Sequence, residues 1–225
     1  MMKQLVFLAI IAALGTGVAD AQQSLPQFDL RLPFSDPPEL ATVDSIPGMV
    51  KPRLLPENIS FLERNLWGEH GLFRTTGLVP ALTREERKRE LSIRRDMLTL
   101  HQIGGFATLG LMTTAAYFGQ RVIDNGRSRS LRRDHQAFVT ATIISYSATA
   151  LLALLSPPPL IRRDEFSTIT VHKTLAWIHV SGMILTPILG SMIGRHTASH
   201  RAHIHQIAGY ITTATLAAAM ISVTF

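Results

Sequence analysis

The sequence contains no cysteine at any of its 225 positions. This absence excludes disulfide bonds, thiolate metal sites, iron–sulfur ligation and the cysteine-linked attachment of a c-type haem. Charge is also sparse, because only 17% of the residues are Asp, Glu, Lys or Arg while 46% are hydrophobic. Any metal or cofactor must therefore be held without thiolate ligands, and much of the chain is apolar.

Acidic residues are outnumbered, with 16 against 22 lysines and arginines, so the formal net charge is +6. A basic chain is a candidate for binding nucleic acid. Here the positive charge lies in short loops between long apolar runs, which is typical of membrane topology and not of a phosphate-binding face. We therefore expect lipid, and no nucleic acid, as a partner.

The first part of the chain, up to Ala21, has the pattern of a signal peptide. Lys3 supplies the positive start, residues 5–14 are apolar, and Ala19-Asp20-Ala21 is an A-x-A cleavage site. The alternative is an uncleaved signal anchor, although the apolar core is short for a span of roughly 20 residues. The mature chain is expected to begin outside the cytoplasmic membrane.

Residues 22–96 are expected to form an extended periplasmic arm, because seven prolines between residues 26 and 56 interrupt any long element. A short helix is predicted over residues 57–67, followed by a turn over 67–74. A charged helix is predicted near residues 83–96, since Thr83 and Glu86 form a capping-box pattern. This helix either continues into the first span or lies beside it. The arm is either a loosely ordered tail or a docking segment for a protein partner.

Four runs follow that contain no Asp, Glu, Lys or Arg, and each is long enough to cross a hydrocarbon core of about 30 Å. They predict an all-α membrane protein whose residues 97–225 form a four-helix transmembrane bundle. The prolines at 157–159 should end the second run, and Pro187 should kink the third. The runs are residues 97–120, 136–161, 174–194 and 206–225.

The basic loops predict the orientation of these spans. Residues 121–134 contain five arginines and the 195–205 loop contains Arg195 and Arg201, whereas the three basic residues of 162–173 are offset by Asp164 and Glu165. Loops rich in arginine face the cytoplasm. We therefore expect a multi-pass protein of the bacterial cytoplasmic (inner) membrane with a periplasmic N-terminus.

A histidine stands near the start of each run: His101, His135, His172 and His205. Ionisable side chains at membrane depth are costly and usually functional. The predicted topology places His101 and His172 near the outer face, and His135 and His205 near the inner face. The two couples have almost the same separation along the chain, from 101 to 172 and from 135 to 205. Each couple is thus predicted to clamp one flat ligand, and two axial imidazoles are typical of an electron-transfer haem.

Other histidines provide weaker alternatives. His179 stands seven positions after His172, so it lies on nearly the same helix face and is an alternative ligand about 10 Å deeper. His196 and His200 have an i, i+4 spacing that suits a metal ion, but no acidic residue or cysteine accompanies them. The simpler interpretation there is a basic interfacial loop, or contacts from Arg195 and Arg201 to haem propionates. His70 is treated as structural.

The stretches LHQIGGFATLGLM (residues 100–112) and VHKTLAWIHVSGMIL (residues 171–185) resemble the first and third core helices of the cytochrome b561 family. That resemblance covers roughly residues 97–225. It implies two haem b groups, an outer one held by His101 and His172 and an inner one held by His135 and His205. Family members from animals and plants have six helices, and this chain shows only the four core spans and no ascorbate-site motif.

The leading functional hypothesis is transmembrane electron transfer through these two haems, which makes the chain an oxidoreductase component or electron-transfer subunit without catalytic side chains of its own. The donor and acceptor are unknown, with a quinone and a periplasmic redox protein as candidates. The alternative is a membrane-anchor subunit that holds a partner through residues 22–96, with haem in a structural role. A metal-ion transporter would need acidic residues within the spans. Glycine-bearing helix faces permit a homodimer.

Overall fold

The computed structural model describes residues 53–125, 128–161, 166–193 and 199–224. The predicted signal peptide and the first part of the arm lie outside these residues. Throughout the described ranges the regular structure is α-helical, without strands. Two short helices, α1 (Phe61–Trp67) and α2 (Leu72–Thr75), precede four long ones. The long helices are α3 (Arg84–Asp124), α4 (Arg129–Leu154), α5 (Thr168–Ser191) and α6 (His200–Thr224).

The described part of the arm contains a helix where one is predicted near residues 57–67, while nearly all of the proline-rich segment lies outside the described residues. Helix α1 begins at Phe61 and not at residue 57, because Ser60 is its N-cap and forms a capping box with Glu63. The predicted turn is shorter than expected, since it ends at Gly71 and α2 begins at once. Gly77 follows α2 with a φ of 73°, a left-handed conformation that favours glycine.

Helix α3 joins the predicted charged helix and the first apolar run into one unbroken element of 41 residues. The hydroxyl of Thr83 accepts a hydrogen bond from the backbone N–H of Glu86 at 3.2 Å, which starts the helix where the capping pattern predicts. At 1.5 Å per residue its length is about 60 Å, twice the thickness of a hydrocarbon core. The domain boundary drawn at residue 97 therefore falls inside a helix.

The long helices pack as two antiparallel hairpins, which we call the first hairpin (α3 with α4) and the second hairpin (α5 with α6). The hairpins contact each other through α3 and α6. One such contact is a polar cluster in which Gln206 Nε2 and Tyr210 Oη both donate to Gln120 Oε1, the tyrosine at 2.9 Å. Close backbone packing is thus more extensive between α3 and α6 than between α4 and α5.

Helices α4, α5 and α6 are each long and apolar enough to cross a membrane, which indicates a multi-pass membrane protein. Their large apolar side chains point outward, as Trp177 (76% exposed), Ile144 (65%) and Ile184 (62%) illustrate. A soluble protein rarely exposes so much contiguous apolar surface. The apolar part of α3 is less hydrophobic than these three helices, because it contains His101, Gln102 and several glycines among its apolar residues.

The ends of the long helices differ from the sequence prediction in detail. Helix α4 ends at Leu154, just before the three prolines at 157–159 and earlier than the predicted limit of residue 161. It begins at Arg129, so much of the predicted arginine-rich loop is its first helical turns. Helix α5 continues through Pro187 to Ser191.

A polar network ties the arm to the end of α4. The Nε1 atom of Trp67 donates to the carbonyl of Leu155 at 2.9 Å, and Arg87 Nη2 donates to the carbonyls of Pro158 and Pro159 at 2.7 and 2.9 Å. Arg94 Nη1 donates to the carbonyl of Pro157 at 2.6 Å. Terminal carbonyls need donors from outside the helix, and the following prolines supply no N–H.

Buried charges hold this network in place. Glu90 forms ion pairs with Arg74 and with Arg87, and the side chains of Glu90 and Arg87 are fully buried. Burial lowers the pKa of the Arg87 guanidinium from its ordinary value, and the bond to Glu90 offsets part of that effect. We call Trp67, Arg74, Arg87, Glu90 and Arg94, together with residues 155–159, the α4 cap. It makes the described part of the arm one body with the first hairpin.

Candidate paired-histidine site

The four histidines near the helix starts lie in two pairs, each with one ring from each hairpin. The ring centres of His101 on α3 and His172 on α5 are 6.1 Å apart, with an angle of 86° between the ring planes. Those of His135 on α4 and His205 on α6 are 6.2 Å apart at 85°. The structure thus brings together the same two pairs of histidines that the matched spacing along the chain predicts.

Each of the four rings uses its Nδ1 atom in the same way. His101 Nδ1 lies 2.8 Å from the carbonyl oxygen of Thr149, and His172 Nδ1 lies 3.0 Å from that of Ala219. A carbonyl oxygen can only accept a hydrogen bond, so Nδ1 must carry the proton. The Nε2 lone pair of a neutral ring is then free to bind a metal.

The second pair repeats this arrangement. His135 Nδ1 lies 2.9 Å from the carbonyl oxygen of Ala115, and His205 Nδ1 lies 2.9 Å from that of Thr186. Metal-binding histidines commonly donate the other ring N–H to a carbonyl, which fixes the tautomer and orients the ring. All four rings have the tautomer and orientation of a metal-binding histidine, although their carbonyl partners belong to four different helices.

A common register underlies the four bonds. Each long helix carries its histidine at position i and the carbonyl that it offers to a neighbouring helix at position i+14, namely 101 and 115, 135 and 149, 172 and 186, and 205 and 219. This separation is close to four helical turns, so both groups lie on the same face of each helix. The two histidine pairs are therefore about 21 Å apart along the helix axes.

Glycines lie against the rings of the second pair. A Cβ atom on Gly119 would lie 3.0 Å from Cε1 of His135, and one on Gly190 would lie 3.0 Å from Cε1 of His205. These glycines lie on helices that neighbour the helix of the histidine, so counting positions along one helix cannot identify them. Gly105 and Gly209, each four positions after a paired histidine, meet other groups, since Gly105 faces the thioether of Met220 and Gly209 the methyl group of Thr186.

The spacing within each pair suits one metal ion between two imidazoles. A metal–nitrogen distance of about 2 Å on each side, with each ring centre about 1 Å behind its nitrogen, gives about 6 Å between ring centres. The observed 6.1 and 6.2 Å match that separation. Among the described residues, no group of three or more histidines or carboxylates could hold a metal. A haem needs only two protein ligands, because the porphyrin supplies four nitrogens.

His179, the alternative ligand, is not a member of either pair. Its side chain is buried, with 6% of its surface exposed, and its Nδ1 atom lies 2.9 Å from the hydroxyl oxygen of Tyr146 on α4. The two rings meet edge to face with centres 5.7 Å apart. This contact favours His172 over His179 as the partner of His101.

The remaining predicted residues lie away from the pairs. His70, His200 and His203 are exposed, while Arg195 and His196 lie outside the described residues. Arg201 Nη1 is 3.5 Å from the carbonyl of Met192, which is a weak contact at the start of α6.

Comparison with protein families, curated proteins and solved structures finds no match to this chain. The resemblance to the cytochrome b561 core therefore rests on the histidine spacing and on the sequences at the helix starts.

Proposed function

We propose that this chain carries electrons across a membrane through two b-type haems, each held by one histidine pair. Helices α3 to α6 would form a four-helix transmembrane bundle. His101 and His172 would hold the outer haem, and His135 and His205 the inner one. The proposal includes α3 as a span, and the hydrogen bonds that join His101 to α4, His135 to α3 and Gln120 to α6 support it.

The proposal depends on one observation: all four imidazoles use Nδ1 in a bond to a backbone carbonyl and leave Nε2 available. Burying a histidine in a membrane is unfavourable unless its polar atoms are satisfied. Here four rings each donate the Nδ1–H to a backbone carbonyl and leave Nε2 free, and they meet in pairs at a separation that suits one metal ion. A purely structural role would not require the free nitrogens to occur in pairs.

A haem with two histidine ligands supplies a reversible one-electron couple and has no open coordination position for oxygen. The residues of this chain fix the ligand geometry, and the outward apolar side chains keep the helices in lipid. No general base or nucleophile is needed for this task. We accordingly propose an electron-transfer subunit, with a quinone or a periplasmic redox protein as its exchange partner.

The proposed orientation places the α4 cap on the periplasmic side of a bacterial inner membrane. Arg121, Arg129, Arg132 and Arg133 lie at the opposite end of the first hairpin, which would face the cytoplasm. A signal peptide at the N-terminus agrees with this orientation, since it would deliver the arm to the periplasm.

A membrane-anchor subunit is the second candidate, and the folded arm favours it. The arm exposes apolar side chains on a rigid support, including Phe61 (83% exposed) and Leu78 (73%). Such side chains on a body fixed by buried ion pairs suit a protein partner. In this second proposal the haems would stabilise the bundle without passing electrons between the two faces.

A reduced-minus-oxidised difference spectrum of the purified full-length protein tests the leading proposal. We expect a b-type spectrum and two haems per chain, measured by pyridine haemochrome against protein mass. The variant His70→Ala is the matched control, because His70 is exposed and lies outside both pairs, and it should keep both haems. A protein purified from haem-replete cells without haem would contradict the proposal.

A second measurement separates the conduit from the anchor. The protein is placed in liposomes that contain ferricyanide, and a membrane-impermeant reductant is added outside. A conduit oxidises the external reductant at the expense of the trapped ferricyanide, whereas an anchor does not. The variant His135→Ala should abolish this transfer while the haem at the His101–His172 pair remains reducible from one side.

A further inference from the structure

A layer of buried polar residues lies midway between the two histidine pairs. Each long helix contributes one residue to it, seven positions after its paired histidine and seven before its donated carbonyl. The exposed fractions are between 1% and 6%, so all four side chains point into the interior. We call this set the middle layer: Thr108, Thr142, His179 and Thr212.

Three members of the middle layer satisfy their polar group within their own helix. The hydroxyls of Thr108, Thr142 and Thr212 donate to the carbonyl four positions earlier, at 2.7, 2.7 and 2.6 Å. Threonine commonly makes this bond inside helices, particularly where no water is present. Thr108 and Thr212 also contact hydroxyls on neighbouring helices, Ser145 at 2.8 Å and Thr186 at 3.4 Å, but each already donates within its own helix.

His179 is the exception in the layer. It occupies in the second hairpin the position that Thr108 occupies in the first, since each follows the paired histidine of its own helix by seven positions. An imidazole cannot be satisfied by its own helix in the way a hydroxyl is, and its Nδ1 atom instead meets the hydroxyl of Tyr146 across the gap between α4 and α5. Because a fourth threonine would suffice for packing, the departure requires a separate explanation.

The His179–Tyr146 contact lies nearer to one histidine pair than to the other. Helical side chains lean toward the N-terminus of their helix, so His179 leans toward the level of His172. Tyr146 is four positions beyond Thr142 in the direction of Thr149, the carbonyl partner of His101. Both side chains therefore sit on the His101–His172 side of the middle layer.

We propose that His179, oriented by Tyr146, is a tuning residue that makes the His101–His172 site differ in reduction potential from the His135–His205 site. This inference rests on the proposed function. The oxidised form of a bis-histidine haem carries one more positive charge than the reduced form. An oriented imidazole in a low-dielectric interior stabilises one of these two forms, and the hydroxyl of Tyr146 fixes that orientation.

The test is a spectroelectrochemical titration of the purified dihaem protein, with dithionite as reductant and ferricyanide as oxidant, so that each iron gains or loses one electron. The variant His179→Thr restores the pattern of the other three helices. We expect it to keep two haems, to shift one of the two midpoint potentials and to leave the other unchanged. Tyr146→Phe, which removes only the hydroxyl, should shift the same potential by a smaller amount.

Single-haem backgrounds identify which site responds. In His135→Ala protein only the haem at the His101–His172 pair should remain, and adding His179→Thr should move its potential. In His101→Ala protein the remaining haem should not respond. Thr142→Val is the control within the middle layer, because its hydroxyl bonds to its own helix, and it should leave both potentials unchanged.

Three results would overturn the inference. Unchanged potentials in His179→Thr with both haems retained would show that the residue does not tune either site. Loss of one haem in that variant would make His179 a ligand. A response confined to the His135–His205 site would show that the assignment of the site is wrong. If His179→Thr fails to fold, unchanged potentials in Tyr146→Phe would overturn the inference instead. Wild-type protein without haem would refute the proposed function itself.

Discussion

The two hairpins have the same internal register but different surroundings. In both, each helix carries a paired histidine and, fourteen positions after it, a carbonyl that accepts a hydrogen bond from a histidine of another helix. In the first hairpin, α3 begins at Arg84, several turns before His101, and carries the α4 cap. In the second, α5 begins at Thr168, just one turn before His172, and the middle layer contains a histidine in place of a threonine.

This comparison separates what the paired-histidine site needs from what is added to it. The site needs the i, i+14 register, which recurs in all four helices regardless of the loops around them. The α4 cap and His179 each occur once, so they are additions with tasks of their own. The following predictions alter shared and unshared features in turn, from the largest expected effect to the smallest.

Substitution of a paired histidine should have the largest effect. Since each pair takes one ring from each hairpin, His101→Ala and His172→Ala should each reduce the haem content from two to one. The double variant should retain as much haem as either single variant. His135→Ala combined with His101→Ala should remove both haems. Haem per chain, measured by pyridine haemochrome, checks this. A further loss in the His101/His172 double variant would mean that the two rings do not share a site.

Glu90→Gln should break a feature found only in the first hairpin. Removing the charge leaves the buried guanidinium of Arg87 without its ion-pair partner, which costs about 3–5 kcal/mol for a buried pair. We expect faster trypsin cleavage within residues 53–83 and a lower midpoint of thermal unfolding, with the haem content unchanged. Glu57→Gln is the control, because its ion pair with Arg53 is largely exposed and should contribute little. Equal cleavage rates in the two variants would refute the role of the α4 cap.

Gly119→Ala and Gly190→Ala test whether the hairpins contribute equivalently to one site. Each added methyl group would lie 3.0 Å from a ring carbon of the His135–His205 pair and should displace that ring by a few tenths of an ångström. At about 1 kcal/mol for such overpacking, we expect roughly fivefold weaker haem retention at this site in both variants. Haem loss to apomyoglobin provides the measurement.

Gly110→Ala is the control for these two variants, because nothing lies within 4 Å of the added atom. It should leave haem retention unchanged and stabilise α3 by about 0.5–1 kcal/mol through its higher helix propensity. A clear difference between Gly119→Ala and Gly190→Ala would show that the hairpins are not equivalent at the second pair.

Trp67→Phe should have the smallest effect. It removes the hydrogen bond to the carbonyl of Leu155 but keeps an aromatic ring against Phe73, so we expect a loss of about 1 kcal/mol in the stability of the arm. Trypsin cleavage of residues 53–83 measures it. Asn65→Ala, which loses only an exposed bond within α1, should change the rate less. The same rate in both variants would argue that the tryptophan nitrogen contributes nothing.

Local features of the fold followed from local sequence. Thr83 starts α3 because a threonine before a charged helical stretch can cap the helix through its hydroxyl. The prolines after Ser156 end α4 because they lack N–H groups. The helices of the arm were predicted near residues 57–67 and 83–96. The contacts that hold the arm against the end of α4 were not, because they join residues far apart along the chain, such as Trp67 and Leu155.

In the candidate site, too, some residues could be predicted from the sequence and others could not. The choice of four histidines and their coupling came from spacing, because helices of equal length with short connections place equivalent positions at equal depth. The carbonyl partners, Gly119 and Gly190 belong to neighbouring helices, so spacing within one helix could not identify them. Tyr146 was missed for the same reason, and its contact with His179 distinguishes that residue from His172.

By itself, the sequence determined that the chain is helical, that it carries several membrane-length apolar segments and that a histidine opens each of them. These properties depend on composition and periodicity, which act over a few neighbouring residues. Only the tertiary structure decided which nitrogen of each ring is free, which glycines lie beside the rings and why one buried histidine differs from three buried threonines. Those properties depend on the directions in which side chains of different helices meet, and no short segment encodes them.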